Sequence, residues 1–204
     1  MSMSERLWAE NADLAADALA HPFVRGIADG SLPEARFAGY VAQDAFFLEA
    51  FARAYALGAA RSPDRAGIDA FADLLQGVRE ELGLHTGYAA RWGIDLAGVE
   101  PLPATLAYTD FLLATAALGE VGLLCAAMTP CMRLYAHLGA ALAGSASGPY
   151  REWVDTYSAP EFEGLAGTLE GLLDRYAVDT PAARGAYRRA MRLELAFFDA
   201  ALTG

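Results

Sequence analysis

Apolar residues recur at three- and four-residue intervals along almost the whole chain, and no run alternates apolar with polar between turn residues. That pattern predicts helices and no sheet. Leu7, Leu14 and Leu19 begin an amphipathic segment that ends at His21-Pro22. Ser31-Leu-Pro-Glu34 reads as a capping box with Ser31 as N-cap. The helix it opens runs through Phe37, Tyr40, Val41, Phe47, Leu48, Phe51 and Tyr55 to about Arg61. Ser62-Pro-Asp64 breaks the chain and starts another helix, through Phe71, Leu74, Leu75, Val78 and Leu82 to near Trp92-Gly93.

After a loop holding Gly98, Pro101 and Pro103, Leu106 to Leu118 and Val121 to Leu142 predict two strongly apolar helices separated by Gly119. Gly144 to Pro149 is the clearest linker, too short to divide domains. Trp153 and Tyr157 belong to a short helix, and Ser158-Ala-Pro-Glu161 repeats the capping pattern before a helix to about Tyr176. Thr180-Pro181 places an N-cap before proline at the first helical position and opens the last helix, to Ala201. The expected fold class is all-α, a single domain over 1–204 built as a bundle of seven to nine helices.

Composition narrows the chemistry. All fifteen basic residues are Arg, and there is no Lys. A Schiff-base enzyme, a pyridoxal-phosphate enzyme and a Walker-type phosphate loop each need a lysine. The net charge of −11 argues against a nucleic-acid binder, which needs a basic surface to neutralise phosphates. Arg184, Arg188, Arg189 and Arg192 form the one basic concentration, and a solvated helix face explains it. Cys125 and Cys131, six apart on one helix, would point to different faces, so no bridge is expected. The first residues lack an apolar leader core, and the apolar stretch from Phe111 to Met132 is interrupted by Gly119, Glu120, Gly122 and Pro130. A cytoplasmic chain with no membrane span is the expectation.

Three residues stand out because their chemistry clashes with their surroundings. Cys131 follows Pro130 in the most apolar helix, where a thiol is either inert core or a nucleophile; free cysteine is among the most buried residue types. A proline there predicts a kink, and Tyr135 shares the Cys131 face at i+4. Asp44, among Tyr40 and Phe47, and Glu194, among Leu193, Leu195, Phe197 and Phe198, put carboxylates on apolar helices. Each needs a hydrogen-bonding partner, an arginine or a ligand. Together they suit acid–base and nucleophilic work. Glu81 and His85 have a spacing that metal ligands can use, with Glu80 beside them. A di-iron bundle would instead need Glu-x-x-His pairs, and none occurs, so no metal is expected. Nor is a cofactor: there is no Cys-x-x-Cys-His, and only His21, His85 and His137 exist as histidines.

His21-Pro-Phe-Val-Arg-Gly-Ile-Ala-Asp-Gly-Ser-Leu-Pro33 and Tyr40-Val-Ala-Gln-Asp44 resemble the N-terminal signature of the TenA family (thiaminase II). The likeness continues through Glu81-x-x-x-His85, Ala107-Tyr-Thr109, Thr129-Pro-Cys-x-x-x-Tyr135, Trp153-x-x-x-Tyr157 and Glu194 with its following phenylalanines. The resemblance implies a haem-oxygenase-like helical fold without haem, a homotetramer, and membership of the branch that keeps a catalytic cysteine. It implies hydrolysis of 4-amino-5-aminomethyl-2-methylpyrimidine or thiamin to 4-amino-5-hydroxymethyl-2-methylpyrimidine, in thiamin salvage. Carried over, Cys131 is the nucleophile, Glu194 exchanges protons with the ring, and Asp44 holds the substrate amine. Tyr108, Tyr135 and Tyr157 position ring and thiol, and Phe47 and Phe197 supply stacking walls. Some relatives have tyrosine where Phe47 stands, and the 158–162 run fits part of the family; both bear on substrate preference. The competing expectations are a non-catalytic pyrimidine-binding or regulatory protein, and a metal-dependent oxygenase relative resting on Glu81 and His85.

Overall fold

Ten α-helices and no strand form among the described residues of the computed structural model, which are 1–96, 98–144 and 148–203 without the side chains of Leu84, His85, Tyr88 and Trp92. They are α1 (Met3–Glu10), α2 (Ala12–Ala20), α3 (Pro22–Asp29), α4 (Glu34–Arg61), α5 (Arg65–Trp92), α6 (Pro103–Leu118), α7 (Val121–Leu142), α8 (Arg151–Tyr157), α9 (Pro160–Tyr176) and α10 (Pro181–Thr203). The chain is all-α, as its periodicity predicts. The helix count exceeds the expected seven to nine because the N-terminal segment divides. Asn11 separates α1 from α2, its side-chain amide donating to the Leu7 carbonyl at 2.8 Å. His21 then caps a third short helix, its Nδ1 accepting from the Phe23 N–H at 3.2 Å, with Pro22 at the first helical position.

Two expected caps are not made. Gly30 ends α3 in the left-handed region at φ 75°, and Asp29 accepts from the Ser31 N–H, so Pro33 becomes the N-cap of α4 with no side-chain bond. Ser158 ends α8 and turns its hydroxyl back to the Asp155 carbonyl, leaving Ala159 as the N-cap of α9. At both places the preceding helix claims the serine first. Thr180 does cap α10, accepting from the Ala183 N–H at 3.2 Å. Asp64 caps α5 by accepting from the Gly67 N–H at 2.9 Å.

Helix α7 runs through the interior, against α8, α9 and α10, while α4 packs on α5 and α6. By length and composition alone α7 passes for a membrane span, yet 72% of its apolar window is buried inside the molecule. A neighbour comes very close at Gly139, where an added Cβ would lie 2.3 Å from the Tyr157 carbonyl carbon. Only a glycine lets the end of α8 come so near. Within α7, Pro130 has no N–H to return to the preceding turn, and Thr129 donates its hydroxyl to the Cys125 carbonyl at 2.7 Å. Arg133 ties α7 to α9 through Glu163 and Glu170. The C-terminal arginines pair across the surface: Arg184 with Glu10 and Asp179, Arg188 with Asp13, while Arg189 lies 4.6 Å over the Phe111 ring. Such exposed pairs are screened by solvent and add little to stability, consistent with a solvated face.

Candidate active site

Five helices meet around a small cavity of about 20 Å³. Helix α4 contributes Asp44, Phe47, Leu48 and Phe51, one face by the helical repeat; α7 contributes Cys131, Met132 and Tyr135. Glu81 of α5, Tyr157 of α8 and Phe162 of α9 complete the wall. That space admits about one water and lies far below ligand cavities of about 300–1,000 Å³, so a pyrimidine enters only as the lining side chains move apart.

Cys131 keeps accessible surface and lines this space. Its thiol lies beside Glu194, which is 2% exposed and whose charge acts on it. Tyr108 donates to Glu194 Oε1 at 2.6 Å from the far side. Burial pushes the Glu194 carboxyl up to about 7; the Tyr108 hydrogen bond and the neighbouring Cys131 thiol hold it back, and the Asp44 charge adds to the rise. Burial also pushes the Cys131 thiol well above its ordinary range, reinforced by the charges of Glu194, Asp44 and Glu81. The resting pair is therefore a thiol against a carboxyl poised near neutrality.

A second bond of the same kind lies on another wall: the Tyr157 hydroxyl donates to Glu81 Oε1 at 2.6 Å. The Tyr135 and Tyr157 rings meet edge to face at 4.7 Å. Tyr135 in turn accepts from Tyr40, and Tyr40 from the Trp153 Nε1–H, both at 3.2 Å. Burial raises the phenol pKa of Tyr40, Tyr108, Tyr135 and Tyr157 well above 10, so each is a hydrogen-bond donor at neutral pH.

Of the residues singled out in the sequence, Cys131, Asp44, Tyr135, Tyr157 and Phe47 line the cavity. Glu194 and Tyr108 stand one layer behind, joined to each other by a hydrogen bond, with the Glu194 charge acting on Cys131. Phe197 does not line it. Its ring lies 5.9 Å from Phe47, too close for a ligand ring between them, and borders a separate recess with Arg36, Gln43, Asp95 and Leu102. Sequence reasoning had no role for Tyr40, Phe51, Met132 or Phe162, whose apolar or phenolic side chains are indistinguishable from core on periodicity alone. Glu81 was singled out for its spacing to His85, but the His85 side chain lies outside the described residues. Among the described residues no group of three or more His, Cys, Asp or Glu side chains is arranged to hold a metal.

A family model described as the TENA/THI-4/PQQC family matches residues 8–204. An aminopyrimidine aminohydrolase of Halalkalibacterium halodurans is 39% identical over 165 residues, covering 77% of this chain and 74% of that protein. The chain spans between 23% and 74% of the length of three curated relatives that it matches. A crystal structure described as a TenA family transcription regulator from Silicibacter sp. TM1040 superposes with a TM-score of 0.92 at 28% identity, covering 98% of this chain and 96% of that one. A domain of unknown function with a haem oxygenase-like fold, from Shewanella denitrificans, superposes at 0.73 and 17% identity over 98% of this chain and 91% of that one, a likeness of fold alone.

Proposed function

The chain belongs to the TENA/THI-4/PQQC family, and from that membership we propose that it is an aminopyrimidine aminohydrolase of thiamin salvage. Its substrate is 4-amino-5-aminomethyl-2-methylpyrimidine, thiamin or both, and its product the 5-hydroxymethyl pyrimidine. One observation carries this reading: Cys131 and Asp44, 87 positions apart by their numbers, line one small cavity, and the Glu194 carboxyl lies near enough to act on the Cys131 thiol.

Three negative side chains hold the thiol protonated, so a neutral amine donating hydrogen bonds to Asp44 offsets part of their field and lets Cys131 ionise. The thiolate adds to the electron-poor ring. Electron density moves to a ring nitrogen, where the Glu194 carboxyl supplies the proton; such transfer accelerates a reaction by roughly 10²–10⁴-fold. Tyr108 holds that carboxyl in place, Tyr135 and Tyr157 orient the ring, and Phe47 is the apolar wall with Phe197 backing it. Loss of the exocyclic group and attack by water complete the hydrolysis.

The chain acts as one unit over 1–204, in the cytoplasm, as a homotetramer. The strongly exposed Leu118 and the partly exposed Leu106, both on α6, support burial of that helix against another copy; light scattering measures the assembly. The function is tested by following hydrolysis of thiamin and of the aminomethylpyrimidine in parallel. Release of neither pyrimidine product, alongside a thermal shift with the hydroxymethyl compound, would leave a binding protein rather than an enzyme.

A further inference from the structure

Hydrolysis of this kind moves protons at two separate places, at the ring nitrogen and at the exocyclic carbon where an amine departs and water arrives. Glu194 is held between Cys131 and Tyr108, behind the cavity wall, and serves the ring. The exocyclic position needs its own group. The chain contains no lysine, and among the described residues no histidine side chain lines the cavity. Glu81 does line it, beside Asp44 and Cys131, and receives the Tyr157 hydroxyl at 2.6 Å, the same distance as in the Tyr108–Glu194 pair. Two phenol–carboxylate pairs therefore flank one thiol, on different helices and different walls.

We propose that Glu81, steadied by Tyr157, is the general acid for the departing amine and the general base for the incoming water, while Glu194 serves only the ring. This rests on the hydrolase reading above. As the C–S bond forms, the thiol proton passes to the Glu81 carboxylate, to return to sulfur at the end of the cycle, and the Glu194 proton passes to ring nitrogen. The exocyclic C–N bond then breaks with its electron pair going to nitrogen, which takes the Glu81 proton and leaves as neutral amine. The Tyr157 hydrogen bond stabilises the carboxylate so formed. A water oxygen bonds to the exocyclic carbon and its proton returns to Glu81. The C–S bond breaks, its pair returning to sulfur and the ring proton to Glu194. The sum is one water consumed and one amine released.

The test compares the aminomethyl substrate with its N,N,N-trimethylammonium analogue, whose nitrogen departs neutral without taking a proton. Glu81→Gln is expected to turn over the aminomethyl compound ~10²-fold or more slowly than the unsubstituted protein. With the analogue it is expected to release about one trimethylamine per site in a rapid burst and then stall at the water step. The hydroxymethyl product should still raise its melting temperature. Turnover of the aminomethyl compound within about threefold of normal, or equal losses on both compounds with no burst, would overturn the assignment. Tyr157→Phe keeps the acid but removes the bond that favours its ionised form, so the matching limb of the pH–rate profile should move to higher pH. An unmoved limb would count against the proposal even were Glu81→Gln to misfold. Failure of the unsubstituted protein to release amine from either compound would instead sink the hydrolase reading itself.

Discussion

Two turns of the same helix hold the same side chain in opposite circumstances. Cys125 is fully buried in apolar core, and burial alone pushes its thiol up to about 12. Cys131 is also pushed well up, first by burial, but then by Glu194, Asp44 and Glu81, and it opens onto a cavity. Burial makes a thiol inert in both places. What separates them is the company of carboxylates: their charges are offset when a hydrogen-bonding ligand enters, whereas an apolar wall cannot change. Reactivity here is thus conditional on the ligand, and only at one end of α7.

The largest break in that comparison is Cys131→Ser, which should abolish turnover while leaving the thermal shift with hydroxymethylpyrimidine intact. Undiminished activity would remove the nucleophile.

Glu194→Gln comes next, with turnover expected to fall by ~10²–10⁴-fold. A reaction that needs the protonated carboxyl declines as pH rises through about 7, and the Gln variant should lack that limb. The same group shapes stability. Its folded pKa lies above the ordinary 4.5, so the native state holds a proton that the unfolded chain releases first. Stability is therefore lost as pH rises from about 4.5 through about 7, by ~3 kcal/mol. Denaturant unfolding at pH 4.5 and pH 8 should show this slope in the natural protein and its loss in the Gln variant.

Tyr108→Phe sharpens the comparison more gently. It removes a hydrogen bond that lowers the Glu194 pKa, so the pH limb should move above 7, with turnover down by about tenfold. A limb that moved down would contradict the geometry. Smallest of all, Cys125→Ala should leave kcat and KM within about twofold of normal. Its cost of about 1 kcal/mol, read as a lower melting temperature, comes from lost packing alone.

The fold was largely legible because helical periodicity is a local property. The apolar spacing in Phe37 to Tyr55, Pro181 after Thr180, and Asp64 before α5 all marked real elements. Where local signals competed, the reading slipped. Ser31 and Ser158 have the chemistry of N-caps, yet the helices ending just before them took their backbone or hydroxyl. Among the candidate residues, Asp44 and Glu194 announced themselves because a carboxylate in an apolar stripe demands explanation. Glu81 was marked only by its spacing to His85, since Arg79 and Glu80 precede it on a partly exposed helix.

By itself, then, the chain determined an all-helical architecture and the few polar groups that its apolar faces could not tolerate without partners. Only the tertiary structure decided which of them meet: Tyr108 with Glu194 across 86 residues, Tyr157 with Glu81 across 76, and Phe197 beside a different recess from Phe47. The periodicity of a helix says which side chains share a face. Which faces come within hydrogen-bonding reach depends on packing depth, here set in part by Gly139, where the missing side chain lets α8 carry Tyr157 down to the thiol-bearing helix.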